Sequence, residues 1–147
     1  MNNEVQNIAA DMMSACASLF VSVFALPPWN ETWQHTDAFQ RLNDIYYTKN
    51  SICLCCYSDD KIVGSLFGVL YKWHSGHQFE IREFFVDTNF QGQGIGKSIL
   101  SHLENILLTK TPIEIYLLTL SHNSTVSFYE SRGYVEKAQH SIWKKQF

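Results

Sequence analysis

The sequence predicts an α/β fold, with helices packed on a mixed β-sheet. Three observations predict it. Two segments of helical period come first, three strand-like runs follow with only short turns between them, and the second half alternates helix, strand, helix, strand. The 147 residues suit one domain with one core, so the expectation is a single domain over 1–147. Hydrophobic residues make up 46% of the chain, enough to fill that core.

The first helix runs from about 8 to 25, and Pro27-Pro28 stops it, because proline blocks helix continuation and pushes its predecessor towards extended geometry. Ser14, Ser18 and Ser22 repeat every four residues and draw a narrow polar stripe along it. A second helix is expected over about 31–48. Strands follow at about 51–57, 61–72 and 78–87, joined at Asp59-Asp60 and at His74-Ser75-Gly76. Gly64 and Gly68 lie inside the second of these strands and mark bulges or close packing. The helix over about 94–108 places Ile95, Ile99, Leu100, Leu103, Ile106 and Leu107 on one face. A buried strand over about 113–120 and a short helix over about 123–131 follow, the helix capped by Asn123 or Ser124 and ended by Gly133. The tail, about 134–145, reads as one or two strands.

The formal charge of −3 excludes a sequence-independent grip on nucleic acid. The apolar run 12–26 is no signal peptide: Glu4 and Asp11 precede it, and the first basic residue is Arg41. It is also too short and serine-rich for a membrane span. Of the four cysteines, Cys53, Cys55 and Cys56 crowd one strand and Cys16 lies far off, which argues against a disulfide framework. A zinc site shared with His74 or His77 matches no common ligand spacing. Buried free thiols, no metal and a reducing, cytoplasmic compartment are the expectation.

The chemical signal is Gln91-Gly92-Gln93-Gly94-Ile95-Gly96-Lys97-Ser98, which follows a strand and opens a helix. A helix N-terminus offers unpaired amides and a partial positive charge, and glycine lets a phosphate approach the backbone. The P-loop pattern fails because Gln91 stands where its first glycine belongs. The dinucleotide fingerprint fails because Lys97 or Ile99 stands where its third glycine belongs.

Gln91, Gly94 and Gly96 do resemble motif A of the GNAT N-acetyltransferases, Gln/Arg-x-x-Gly-x-Gly/Ala. The strand ending at Val86 resembles the family's fourth strand. Asn123, Val126, Phe128, Tyr129, Gly133 and Tyr134 resemble its Asn-x-x-Ala-x-x-Tyr-x-x-x-Gly-Phe helix and turn. The resemblance covers about residue 10 to the end; the family's first strand has little room before residue 8, so it is short or missing. It implies a mixed, mostly antiparallel sheet flanked by helices, and an enzyme that moves acetyl from acetyl-CoA to a primary amine by direct attack. A non-catalytic acyl-CoA sensor or interaction module on the same fold is the alternative. Partners are then coenzyme A and an amine, without nucleic acid or membrane, and a homodimer is in keeping with the family.

Carried over residue by residue, the resemblance assigns the diphosphate to the backbone of Gln91, Gly92, Gln93, Gly94, Ile95, Gly96, Lys97 and Ser98. The pantetheine arm falls to Phe84, Phe85 and Val86, at a splay from the next strand, and Asn123 either bonds the arm or is a plain cap. Tyr129 becomes the general acid, in reach of the cofactor. Glu80 and Glu83 compete as base: Glu80 matches the glutamate of histone acetyltransferases, and Glu83 an acidic residue of spermidine/spermine acetyltransferases. Alternation puts the two on opposite faces unless a bulge intervenes, so one alone points at the acceptor, with Glu80 favoured. In the loop between the first helices, Trp29, Glu31 and Trp33 either grip a cationic acceptor, aided by Asp37 and Asp44, or staple the helices together. The acceptor expected is aminoglycoside- or polyamine-like.

Overall fold

The computed structural model describes residues 3–147 and, at Asn123, the backbone alone. One five-stranded sheet runs in the order β1 (Asn3–Asn7), β2 (Ser51–Ser58), β3 (Lys61–Trp73), β4 (Gly76–Val86) and β5 (Ile113–Leu117). The first three pairings are antiparallel, as the short connections of the β2–β3 and β3–β4 hairpins require. β4 and β5 are parallel, and helix α3 (Ile95–Leu107) makes the crossover between them. The first strand is therefore present, five residues long, with Val5 opposite Cys56.

Helices α1 (Met13–Phe24) and α2 (His35–Tyr46) cover one face, burying Phe20, Leu42, Phe67 and Phe85 with Cys53 and Cys55. α3 covers the other with Ile95, Ile99, Leu100, Leu103 and Leu107, each worth roughly 1.5–3 kcal/mol over its exposed state. β3 admits α3 closely at Gly64, where an added Cβ would press on Ile95 and Ile99. The ring of Phe128, from helix α4 (Asn123–Glu130), and those of Tyr129 and Tyr134 pack against the same core.

Several boundaries differ from the sequence expectation. A single 3-10 turn, Ala10–Met12, precedes α1, and α2 starts only at His35, so the α1–α2 loop is longer than expected. β5 stops at Leu117, and residues 134–147 form no strand. α4 takes His122 as its N-cap, with Asn123 already helical, so neither Asn123 nor Ser124 is the cap residue. The four cysteines are free and buried; Cys53 and Cys55 face α1 and α2 while Cys56 faces α3, so they do not converge on one site. Burial pushes the Cys53 thiol up to about 11 and Cys55 to about 12, which keeps them protonated and unreactive.

Candidate active site

β4 ends at Val86, and the chain then turns into α3 through a 3-10 segment, Thr88–Phe90, and the glycine-rich stretch. Asp87 opens this turn: its carboxylate accepts the Asn89 amide and the Lys61 ammonium, both at 2.9 Å. Burial works against its charge, but these donors outweigh it and hold Asp87 below the usual carboxylate range. Gln91 donates its side-chain amide to the Val86 carbonyl at 3.1 Å, and Gln93 donates to the Asn89 carbonyl at 3.2 Å. Both glutamines thus shape the turn with their side chains.

Gly92 (φ 76°) and Gly94 (φ 84°) take left-handed backbone, and no atom lies within 4 Å of where their side chains would begin. The amides of Ile95, Gly96 and Lys97, in the first turn of α3, have no intrahelical acceptor. The result is an open cradle of main-chain donors at the positive end of a helix. Gly96 serves packing, since a Cβ there would meet the Phe128 ring at 3.4 Å. The Ile95 side chain is buried in the core, Lys97 is exposed and Ser98 is half-buried.

Upstream of the cradle the sheet opens. β4 pairs with β5 only from His77 to Ile81, whose partner is Leu117, so Arg82 to Val86 carry no β5 partner. Phe84 and Val86 lie on the α3 side of this edge, with Phe84 6.1 Å from the Phe128 ring. Phe85 points the other way, stacked at 6.4 Å on Phe67, and offers only its main chain. Tyr129 packs among Phe128 and Tyr134, with ring centroids 5.1 and 5.5 Å away. Burial, helped by neighbouring Tyr134, raises its phenol well above the usual range, so it holds its proton at neutral pH.

A bulge in β4 rearranges the two glutamates. Phe67 faces Glu83 and Gly68 faces Ile81, which leaves Arg82 unopposed. A side chain at Gly68 would run into Phe79 and the Glu80 carbonyl, so glycine permits the bulge. The extra residue puts Glu80 and Glu83 on the same face: their cross-strand partners, Val69 and Phe67, both belong to the core under α1 and α2. The two therefore share a face because of that single inserted residue, where strict alternation would put them on opposite faces.

The two carboxylates differ in surroundings. Glu83 is buried and pairs with the Arg41 guanidinium from α2. Burial pushes its pKa up, and Arg41 offsets this only in part. Glu80 is half-buried, accepts the Tyr116 phenol from β5 at 3.0 Å and lies 3.5 Å from Arg82 Nε. Burial and this bond raise Tyr116 to about 12, so the phenol stays a donor. Arg82 also donates to the Tyr71 hydroxyl.

On the same side, a cleft of about 400 Å³ opens between α2 and β4, lined by Trp33, Asp37, Arg41, Asp44 and Arg82 among others. Trp33 is already engaged. Its ring carries the Arg41 guanidinium at 5.8 Å, its N–H donates to Glu31 at 3.1 Å, and its edge meets Phe20 at 5.0 Å. Trp29 packs edge-on against Phe24 at 5.2 Å. Both tryptophans staple the α1–α2 loop to the core, and the cation held over Trp33 is the chain's own.

A family model described as the acetyltransferase (GNAT) family matches residues 18–134. This chain belongs to the GNAT acetyltransferase family. An acetyltransferase of Pectobacterium atrosepticum is 26% identical over 132 residues, which cover 89% of this chain and 86% of that protein. A solved structure of a possible acetyltransferase from Clostridium difficile matches at a TM-score of 0.81 and 14% identity, over 100% of this chain and 99% of that one. An aminoglycoside acetyltransferase from an uncultured soil metagenomic sample, solved with sisomicin, matches at 0.75 and 19% identity, over 98% and 97% of the two chains. At such identities the two structures speak for the fold alone.

On this GNAT fold, the glycine turn, the open β4 edge and both glutamates line one strand. The Asn123 side chain falls outside the described residues. Sequence reasoning missed Arg41, Arg82, Tyr71 and Tyr116, which surround the glutamates, and the Lys61–Asp87 pair behind the turn. A basic residue next to a strand glutamate was the one available sign of Arg82; the others come together only across elements distant in sequence.

Proposed function

We propose that this GNAT chain, as a single domain over 1–147, transfers acetyl from acetyl-CoA to a primary amine of a small cationic molecule, aminoglycoside- or polyamine-like. One observation carries the reading: a single strand, β4, runs from carboxylates on the cleft side, along an edge without a β5 partner, into an open cradle of main-chain donors. The residues present fit acetyl-CoA. The cradle has room at Gly92 and Gly94 for a diphosphate, and the edge from Arg82 to Val86 is free to pair with an amide-bearing arm.

Acetyl-CoA, when bound, supplies the activated thioester carbonyl. The amides of Ile95, Gly96 and Lys97 hold the diphosphate, and an N–H of the β4 edge donates to the carbonyl oxygen as charge develops there. Glu80 acts as base. An alkylammonium has a pKa of about 10.4 and no lone pair, so it must lose a proton before attack. The half-buried Glu80 carboxylate takes that proton through water, with Tyr116 and Arg82 fixing its orientation. Tyr129 gives its proton to the departing sulfur. Glu83 is engaged by Arg41 and ties α2 to β4, which sets the width of the cleft. Asp37 and Asp44 supply negative potential for the amine, and Trp33, whose N–H is held by Glu31, walls the cleft. The buried, protonated thiols suit a reducing cytoplasm.

The test is thiol release from acetyl-CoA over a panel of aminoglycosides, polyamines, amino acids and peptides. Release with a cationic small amine, and a kcat loss of about 100-fold in Tyr129→Phe with little change in KM, are expected. Tight acetyl-CoA binding with no release for any amine would sink the enzyme reading.

A further inference from the structure

We infer that Arg132 and Glu104 are positioning residues for Tyr129: they clamp the end of α4 to α3 and so aim the phenol. The inference rests on Tyr129 as the acid of the proposed reaction and names what sets its place.

α4 spans eight residues, too few to hold a helix by its own bonds. Its position is therefore set by what it touches. Phe128, Tyr129 and Tyr134 pack against the core under α3, but apolar contact is non-directional and lets a short helix roll. The directional tie to α3 comes from Arg132. Its guanidinium donates to the Ser101 hydroxyl at 2.7 Å and lies 3.5 Å from Glu104 Oε1, and both of these residues belong to α3. One planar fork thus reaches two points a helical turn apart, which fixes the angle of the segment as well as its distance.

The tie reaches Tyr129 through the main chain. The Tyr129 carbonyl accepts the Arg132 amide at 3.0 Å and the Tyr134 amide at 3.1 Å. Holding Arg132 on α3 therefore holds the backbone of Tyr129. The Tyr134 ring, with its centroid 5.5 Å away, bounds one side of the Tyr129 ring. Burial and the Glu104 charge keep the Tyr134 phenol protonated, so Tyr129 works beside a neutral ring.

The cluster is a poor device for stability. Glu104 Oε1, Arg132 Nε and the Tyr134 hydroxyl are each shielded from solvent and make no well-formed hydrogen bond among the described residues. Buried polar atoms without partners cost stability, and a half-satisfied network is worse than apolar packing. A costly network that ends on the backbone of the acid is explained by position.

The experiment compares Glu104→Met/Arg132→Met, which removes the pair without leaving one charge alone, with Tyr129→Phe and with the triple variant. The pair variant should unfold at the wild-type temperature or above it. Hydrogen exchange, read by mass spectrometry without cofactor, should quicken over 126–134 and nowhere else. Its kcat should fall about 10-fold, inside the roughly 100-fold that a misplaced group can cost, with the KM for acetyl-CoA unchanged. The triple variant should be no slower than Tyr129→Phe, because a residue that acts through the phenol has no effect once the phenol is gone. Ser101→Ala, which removes only the acceptor of the 2.7 Å bond, should show the same pattern at smaller amplitude.

A large fall in unfolding temperature assigns the cluster to stability and overturns the inference. So do unchanged exchange over 126–134, and losses that multiply in the triple variant. If Tyr129→Phe is slow and the pair variant is not, this inference fails alone. If Tyr129→Phe keeps wild-type kcat, or no amine is acetylated, the proposed reaction fails and takes this inference with it.

Discussion

Asp87 and Glu83 sit four residues apart near the end of β4, both buried and both paired with one cation, yet their proton affinities move in opposite directions. Asp87 is held low because the Asn89 amide joins Lys61 in bonding it. Glu83 is raised because Arg41 alone does not offset its burial. The same contrast separates the two halves of the proposed site. The cofactor side is built of backbone, fixed by glycines and by side chains bonded to main chain. The acceptor side is built of side chains from β4, β5 and α2, whose charges depend on one another.

The largest expected effect separates the two acceptor-side carboxylates. Glu80→Gln removes the proton acceptor and should lower kcat by about 10²–10⁴-fold at saturating amine. Glu83→Gln leaves Glu80 and its Tyr116 bond in place, so it should change acceptor KM more than kcat. Steady-state kinetics on both variants decide the assignment. Equal kcat losses, or a larger loss in Glu83→Gln, would overturn Glu80 as base.

On the cofactor side the informative change is Gly94→Ala. Left-handed backbone costs an L-residue roughly 1–2 kcal/mol, and the methyl would project into the open cradle. A loss of about 5–30-fold in acetyl-CoA affinity is expected, with no change in acceptor KM once the cofactor saturates. Titration calorimetry checks the first part. An unchanged affinity would mean that the diphosphate docks elsewhere.

The contrast also governs what the sequence makes legible. The cradle is legible because its geometry is written in residue types: Gly94 has a left-handed backbone that few other residues adopt, and it stands one residue before an amphipathic helix. The order of helices and strands from α1 to α4 was legible from period and turn length, while the place of β1 beside β2 was not. The shared face of Glu80 and Glu83 was not, because alternation alone predicts the reverse. It depends on whether Gly68 of the neighbouring strand faces Ile81 or Arg82, and a glycine inside a strand marks a bulge or close packing without saying which. Arg41 on Trp33 was equally out of reach, since it requires the register of α2 against a long loop. The tail misled for another reason: it has the pattern of a strand, but the single chain gives it no partner.

The smallest expected effect tests the opposite proton affinities directly. Asp87 binds its proton less tightly folded than unfolded, so its contribution to stability is complete above its unfolded pKa of about 3.9 and is lost as pH falls through the lower native value. Glu83 binds its proton more tightly folded, so the native state loses stability as pH rises from its unfolded pKa of about 4.3 through the raised native value. Denaturant unfolding across acid to neutral pH should show Asp87→Asn destabilised at neutral pH, with the gap to wild type closing towards acid. Glu83→Gln should instead be at its greatest disadvantage in acid and gain on the wild type as pH rises. Parallel pH profiles for the two variants would mean that Arg41 compensates Glu83 as fully as Lys61 and Asn89 together compensate Asp87. The acceptor side would then be as rigidly charged as the cofactor side.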